Sequence, residues 1–102
     1  MAKLVVMYPK PKDPAQFERF YREVHIPLCE KMPGIRSYSY GYPAGPDGKD
    51  GAFFCFFIAT FDSVGAIEEA FASPAGKNVV ADIPNYSPDH HPTMLFLESI
   101  DG

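Results

Sequence analysis

The chain has 102 residues, 46% of them apolar, and a formal net charge of −4. Its length suits one packed domain with no room for a second. The acidic balance, with no basic patch, argues against nucleic acid as a partner, and no stretch approaches the length needed to span a membrane.

Residues 3–8 form a short apolar run, and Leu4-Val5-Val6 gives it strand character. The run is too short for a secretory signal and lacks a cleavage-type site, so a cytoplasmic location is expected. Cys29 and Cys55 then read as buried thiols of a reducing compartment. Pro9, Pro11 and Pro14 forbid continuation of the strand. Asp13-Pro14 is a helix start, an N-cap acceptor followed by proline at the first helical position. The helix is predicted to about Ile26, with Phe17, Phe20, Val24 and Leu28 on its apolar face and Tyr21 and His25 on the flank. Glu18 with Arg22, and Arg19 with Glu23, are i,i+4 pairs on its polar side.

Pro27 offers no N–H to the Glu23 carbonyl, so a break or kink is expected where His25 sits, with a last turn continuing towards Lys31. An imidazole at a frayed C-terminal helix end would see free carbonyls that raise its proton affinity. Pro33-Gly34 is the stop.

Residues 35–42 alternate, with Arg36, Tyr38, Tyr40 and Tyr42 on one side and Ile35, Ser37, Ser39 and Gly41 on the other. A loop over 43–51 with an Asp47-Gly48 turn leads to a second strand over 52–61, and the two make an antiparallel hairpin. Asp62 or Ser63 caps a second helix carrying Val64, Ile67 and Phe71 on one face. Ser73-Pro74 starts a short helix that Pro84 is predicted to end; residues 85–92 are irregular, and 93–98 form a last strand.

The order β-α-β-β-α-β is that of the α+β ferredoxin-like sandwich, two helices over one face of a four-stranded antiparallel sheet. The second face would normally be wet and polar. Here the strand over 52–61 is apolar on both sides, and residues 4–7 and 94–97 nearly so. A second copy of the chain, sheet against sheet, is the simplest cover, so a homodimer is expected; a loop folded over the face is the alternative.

Phe17-x-x-Phe20-Tyr21-x-x-x-His25-x-Pro27-Leu28, followed by Pro33-Gly34-Ile35, resembles the EthD family of dimeric α+β barrel proteins. Ser73-Pro74 leading to Ala81-Asp82-Ile83-Pro84-Asn85-Tyr86 carries a second, weaker match. The resemblance implies two ferredoxin-like subunits with facing sheets and a cleft between sheet and helices near His25. The family is named for a protein that accompanies a cytochrome P-450 system in ether degradation. Other members resemble cofactor-free dehydratases or decarboxylases, and the wider superfamily includes isomerases, cyclases and monooxygenases of aromatic or polyketide substrates. Fold alone does not choose among these.

His25 reads either as a general acid/base or as a helix-terminal histidine bonded to a freed carbonyl. Tyr21, one turn earlier, would orient His25 or a ligand, or else pack in the core. Asp82 is the candidate orienter of the histidine, or a cap for the turn at Pro84. Tyr8, Arg36, Tyr38, Tyr40 and Tyr86 are the candidate binding set: tyrosines for a flat, aromatic or polyketide-like molecule, arginine for an anionic group. His90 and His91 lack the spacing of a shared ion site, so no metal is expected. The glycines of the hairpin do not stand between a strand and a helix, so no nucleotide cofactor is expected. Three readings follow: a cofactor-free lyase or isomerase, a non-catalytic ligand-binding or accessory protein of a degradative pathway, and a structural dimer with a closed interior.

Overall fold

A computed structural model describes residues 1–48 and 52–100; the part of the predicted hairpin loop at Lys49, Asp50 and Gly51 lies outside the described residues. The first strand, β1, is Ala2–Tyr8. Helix α1 (Pro14–Phe20) passes through a π-helical turn, Tyr21–His25, into α2 (Ile26–Glu30). Strands β2 (Ser37–Gly41) and β3 (Cys55–Phe61) follow, then α3 (Val64–Ala72), α4 (Pro74–Tyr86) and β4 (Thr93–Glu98). The strand order is β2-β3-β1-β4, every neighbouring pair antiparallel. This is the expected α+β, ferredoxin-like arrangement, in which β3 separates β1 from β2.

Caps form where expected. Asp13 accepts from the Gln16 N–H at 3.1 Å, and Ser63 from the Ala66 N–H at 3.0 Å. Gly34, past the end of α2, takes a left-handed φ of 85° that favours glycine. Gly48 does likewise at 78° and closes a turn onto the Gly45 carbonyl at 2.8 Å.

Two prolines behave differently from expectation, and both differences shape the site. Before Pro27 the helix does not break; it widens. The Ile26 N–H reaches back five residues to the Tyr21 carbonyl. The extra residue in this turn restarts the α-helical ladder with Pro27 in its first turn, where a missing N–H costs nothing. His25 is therefore inside a continuous helix, not at a frayed end. Each residue of a π turn advances less than the roughly 100° of an α-helix. By residue 25 this lag has rotated the imidazole into the core beside Phe17 and Tyr21, and it has turned Val24 outward to 40% exposure. The predicted face of Phe17, Phe20, Val24 and Leu28 is corrected accordingly. On the polar side, Arg22 meets Glu23 at 3.6 Å.

Pro84 does not end α4, which continues to Tyr86. The proline lies in the last turn, where one missing bond to the Val80 carbonyl is least disruptive. Burial of Ile83 and Tyr86, each worth about 1.5–3 kcal/mol, favours the added turn.

The core lies between sheet and helices. Alternation puts Leu4, Val6 and Tyr8 of β1 and Cys55, Phe57, Ala59 and Phe61 of β3 against Phe17, Tyr21, Ile67, Val79 and Ile83. Val5, Met7, Phe56 and Ile58 point to the opposite face, together with Leu95 and Leu97, which are each 52% exposed.

Candidate functional site

Helix α4 brings Asp82 and Tyr86, four residues apart and so on one face, against the two nitrogens of a single imidazole. Asp82 Oδ2 lies 2.9 Å from His25 Nδ1, and Tyr86 Oη lies 3.0 Å from His25 Nε2. The Tyr86 hydroxyl also lies 2.7 Å from Tyr8 Oη, which β1 supplies from the sheet. Asn85 donates from its amide nitrogen to the other Asp82 oxygen at 3.0 Å. His25 is 2% exposed and Asp82 8%. Tyr21 stacks on the imidazole with centroids 5.1 Å apart.

Burial holds the His25 pKa below its ordinary 6.5, more strongly than the bond and charge of Asp82 raise it. This reverses the raised affinity expected of a frayed helix end. His25 is thus neutral at pH 7, and the donor directions follow. A carboxylate only accepts, so Nδ1 carries the proton and donates to Asp82. Nε2 is then an acceptor, so the Tyr86 hydroxyl donates to it. Tyr86 has spent its only proton, so Tyr8 donates to Tyr86. Burial pushes the pKa of Tyr8, Tyr21 and Tyr86 well above the ordinary 10, which keeps all three protonated. The chain runs one way, from Tyr8 through Tyr86 and His25 to Asp82.

Tyr21 Oη is buried and closes no hydrogen bond of good geometry, although it lies near enough to the Tyr8 hydroxyl to interact with it. It borders a small cavity of about 20 Å³ shared with Tyr8, His25 and Cys29. That volume admits about one water molecule. Burial pushes the Cys29 thiol up to about 12, so it is no thiolate nucleophile at neutral pH. Cys29 and Cys55 are both buried and free, as expected.

The sequence-predicted residues separate into two groups. His25, Tyr21, Asp82, Tyr8 and Tyr86 converge. Tyr40 touches the cluster edge-on through Tyr21, with centroids 5.5 Å apart. Arg36 does not converge: it forms a two-point ion pair with Asp62, at 2.9 and 2.7 Å, on the exposed side. Tyr38 stacks on Phe57 and donates to Glu30 at 3.0 Å, away from the cavity. Arg36 and Tyr38 thus stand apart from the residues around His25, each with a surface partner. Nor do the aromatic rings line an open pocket; Tyr8, Phe17, Tyr21 and Tyr86 pack on one another. Two of the openings farther out carry residues of the chain's aromatic and histidine set. One, of about 360 Å³, is bounded by Tyr42, Phe53 and Phe54. The other, of about 230 Å³, has Tyr86 in its wall and His90 at its rim. His90 and His91 are exposed and do not join His25. Among the described residues, no three His, Cys, Asp or Glu side chains converge as a metal site would require, and no helix is long and apolar enough to cross a membrane.

Asn85, and the pairing of Tyr86 with His25, were missed from sequence. The available signal was the spacing of 82 and 86, hidden by the expectation that Pro84 ends the helix.

A stability prediction follows from the depressed His25 pKa. Between its folded value and 6.5, the unfolded chain binds more protons than the folded one, so stability rises with pH through that window. Urea unfolding between pH 5 and 7.5 is expected to show stability falling as pH drops below about 6.5, and His25→Asn is expected to flatten that slope.

Related proteins place the chain. An uncharacterised 11.0 kDa protein of Rhodococcus erythropolis, from the thcB–thcC intergenic region, is 32% identical over 98 residues, 96% of this chain and 94% of that one. An EthD-family protein from Bacillus halodurans superposes with a TM-score of 0.88 at 24% identity, covering 98% of this chain and 99% of that one. An EthD-like protein from Ralstonia eutropha gives 0.75 at 25% identity, covering 95% and 89%. Likenesses of fold alone, both at a TM-score of 0.68, are a hydroxynitrile lyase from Passiflora edulis, at 18% identity over 93% of this chain and 88% of that one, and a dimeric ferredoxin-like protein of unknown function from Thermobifida fusca, at 15% over 94% and 88%. The model of the EthD domain matches residues 10–90. The chain is a member of the EthD family.

Proposed function

We propose that the protein is a cofactor-independent proton-transfer enzyme, acting on a small organic molecule with His25 as acid/base and Asp82 as its orienter. The observation that carries this reading is the buried imidazole held at both nitrogens, 2.9 Å from Asp82 and 3.0 Å from Tyr86, beside a cavity with an unpartnered tyrosine hydroxyl. A carbonyl or hydroxyl oxygen of the ligand would accept from Tyr21 while His25 receives the proton. Dehydration, isomerisation and decarboxylation share these requirements. An aromatic or polyketide-like body would need the rings around the cavity to part, because the closed volume holds only about one water. A lyase on a similar fold, the hydroxynitrile lyase of Passiflora edulis, lends the reading support by analogy only. The test is turnover in a screen of small ketones, hydroxy acids and aromatic polyketides. His25→Asn is expected to lose about 10²–10⁴-fold in kcat/KM; full retained activity would sink the assignment. Ligand binding without turnover, surviving that substitution, would favour the accessory-protein reading.

The outer sheet face is assigned to a second copy of the chain. Val5, Met7, Phe56, Ile58, Leu95 and Leu97 form one apolar surface on the side away from the helices, of the kind that a monomer does not leave in water. Sedimentation is expected to give a dimer that the double substitution Leu95→Glu, Leu97→Glu converts to a monomer; a monomeric wild type at micromolar concentration would contradict it.

A further inference from the structure

His25 does not face the cavity with its free lone pair. Nε2, the only nitrogen able to accept a proton, is occupied by the Tyr86 hydroxyl. Tyr86 in turn is bonded to Tyr8, and it is Tyr8, not Tyr86, that borders the small cavity together with Tyr21 and the His25 ring. The lone pair of Nε2 is covered by the first of two hydroxyl groups aligned as donors towards it, and the residue that carries the second borders the cavity.

We propose that Tyr8 is the residue that exchanges a proton with the ligand, and that Tyr86 relays it to and from His25. This rests on the acid/base reading above and changes which group touches the ligand. In the forward step the ligand's C–H or O–H proton passes to Tyr8 Oη, the Tyr8 proton to Tyr86 Oη, and the Tyr86 proton to His25 Nε2. Each hydroxyl gives one proton and gains one, so both end neutral. The ligand keeps the electron pair as an enolate or alkoxide, and the new imidazolium faces the Asp82 carboxylate. Tyr21, whose O–H closes no hydrogen bond of good geometry and borders the cavity, is placed to donate to the new oxyanion. In the return step all three bonds run the other way: protonated Nε2 donates to Tyr86, Tyr86 donates to Tyr8, and Tyr8 points its own proton into the cavity. Tyr8 is thus an acceptor towards the ligand when His25 is neutral and a donor when it is charged.

The groups that bear on this switch come from four elements: Tyr8 on β1, Cys55 on β3, Asp82 and Tyr86 on α4, and Tyr21 and Cys29 on the helix of His25 itself. Only Asp82 among them carries charge at neutral pH.

The proton itself is the probe, so no substrate is needed. Protein labelled with ¹⁵N in histidine and ¹³C at tyrosine Cζ is titrated downward from pH 7.5 and followed by NMR. The expected result is that the Tyr8 Cζ signal moves with the same midpoint as the His25 nitrogens. In Tyr86→Phe, which keeps the ring and removes the hydroxyl, His25 still titrates and Tyr8 no longer follows. A Tyr8 signal that stays fixed while wild-type His25 titrates overturns the relay and leaves His25 as a direct acid/base. A Tyr8 signal that still follows in Tyr86→Phe also overturns it, since the coupling would then be through space. A His25 that takes no proton before the protein unfolds removes both the relay and the acid/base reading.

Discussion

Asp82→Asn is expected to lower kcat/KM by about 10²–10⁴ on any molecule that the wild type turns over through His25, while leaving the fold in place. The carboxylate does two things that an amide cannot. It fixes the proton on Nδ1 by accepting only, and it stabilises the imidazolium with a full charge 2.9 Å away. An amide nitrogen turned to the imidazole would donate to Nδ1, move the ring proton to Nε2, and turn the Tyr86 hydroxyl into an acceptor. An amide oxygen turned there would aim its –NH₂ at the Asn85 amide, which now donates to Asp82 Oδ1. The first orientation takes the proton-accepting lone pair away from Nε2, and the second loses a contact. The ¹⁵N spectrum of His25 reports the change without a substrate: the proton is expected to leave Nδ1, or the Nδ1 resonance to show a weaker hydrogen bond.

The largest expected effect on stability is at Phe17. Its ring is 1% exposed and packs against Tyr8, Tyr21, Phe54 and Tyr86, with centroids 5.2–5.3 Å apart. Phe17→Ala removes that ring from between α1, β1 and α4. The expected loss is about 3–5 kcal/mol in urea unfolding, from transfer and cavity terms together. The exposed neighbour Glu18→Ala is expected to stay within about 0.5 kcal/mol. Since Tyr8 and Tyr86 both lean on Phe17, the substitution also loosens the support of the His25 cluster; conserved volume in Phe17→Leu is expected to recover part of the loss.

Much of the fold was legible because its signals are local. Asp13-Pro14 and Ser63 are side-chain caps that act over three residues, and the last strand, Thr93–Glu98, has the bounds its apolar run suggested. The two-sided apolar character of β3 likewise emerges as one buried face and one half-buried one. What could not be read depends on how a helix absorbs a proline. Pro27 marks a disturbance, but a break and a π turn satisfy its missing N–H equally well. Only tertiary packing chooses between them, by burying His25 and exposing Val24. The same ambiguity at Pro84 hid Tyr86, and with it the group that occupies the basic nitrogen of His25. The direction of the His25 pKa followed that error: a frayed helix end predicts a raised value, whereas a buried ring in a continuous helix has a lowered one. Arg36 shows a different limit. Alternation places it on the same side as Tyr38 and Tyr40, but it stands just before β2, where Asp62 is available at the surface.

The central claim is that His25 rests as a neutral base, protonated at Nδ1 towards Asp82 and accepting at Nε2. The ¹⁵N NMR spectrum of histidine-labelled wild-type protein at pH 7 tests it most directly. The expected spectrum shows one His25 nitrogen, Nδ1, bearing a proton in a strong hydrogen bond, and an unprotonated Nε2. A proton on Nε2, or an imidazolium at that pH, would contradict it.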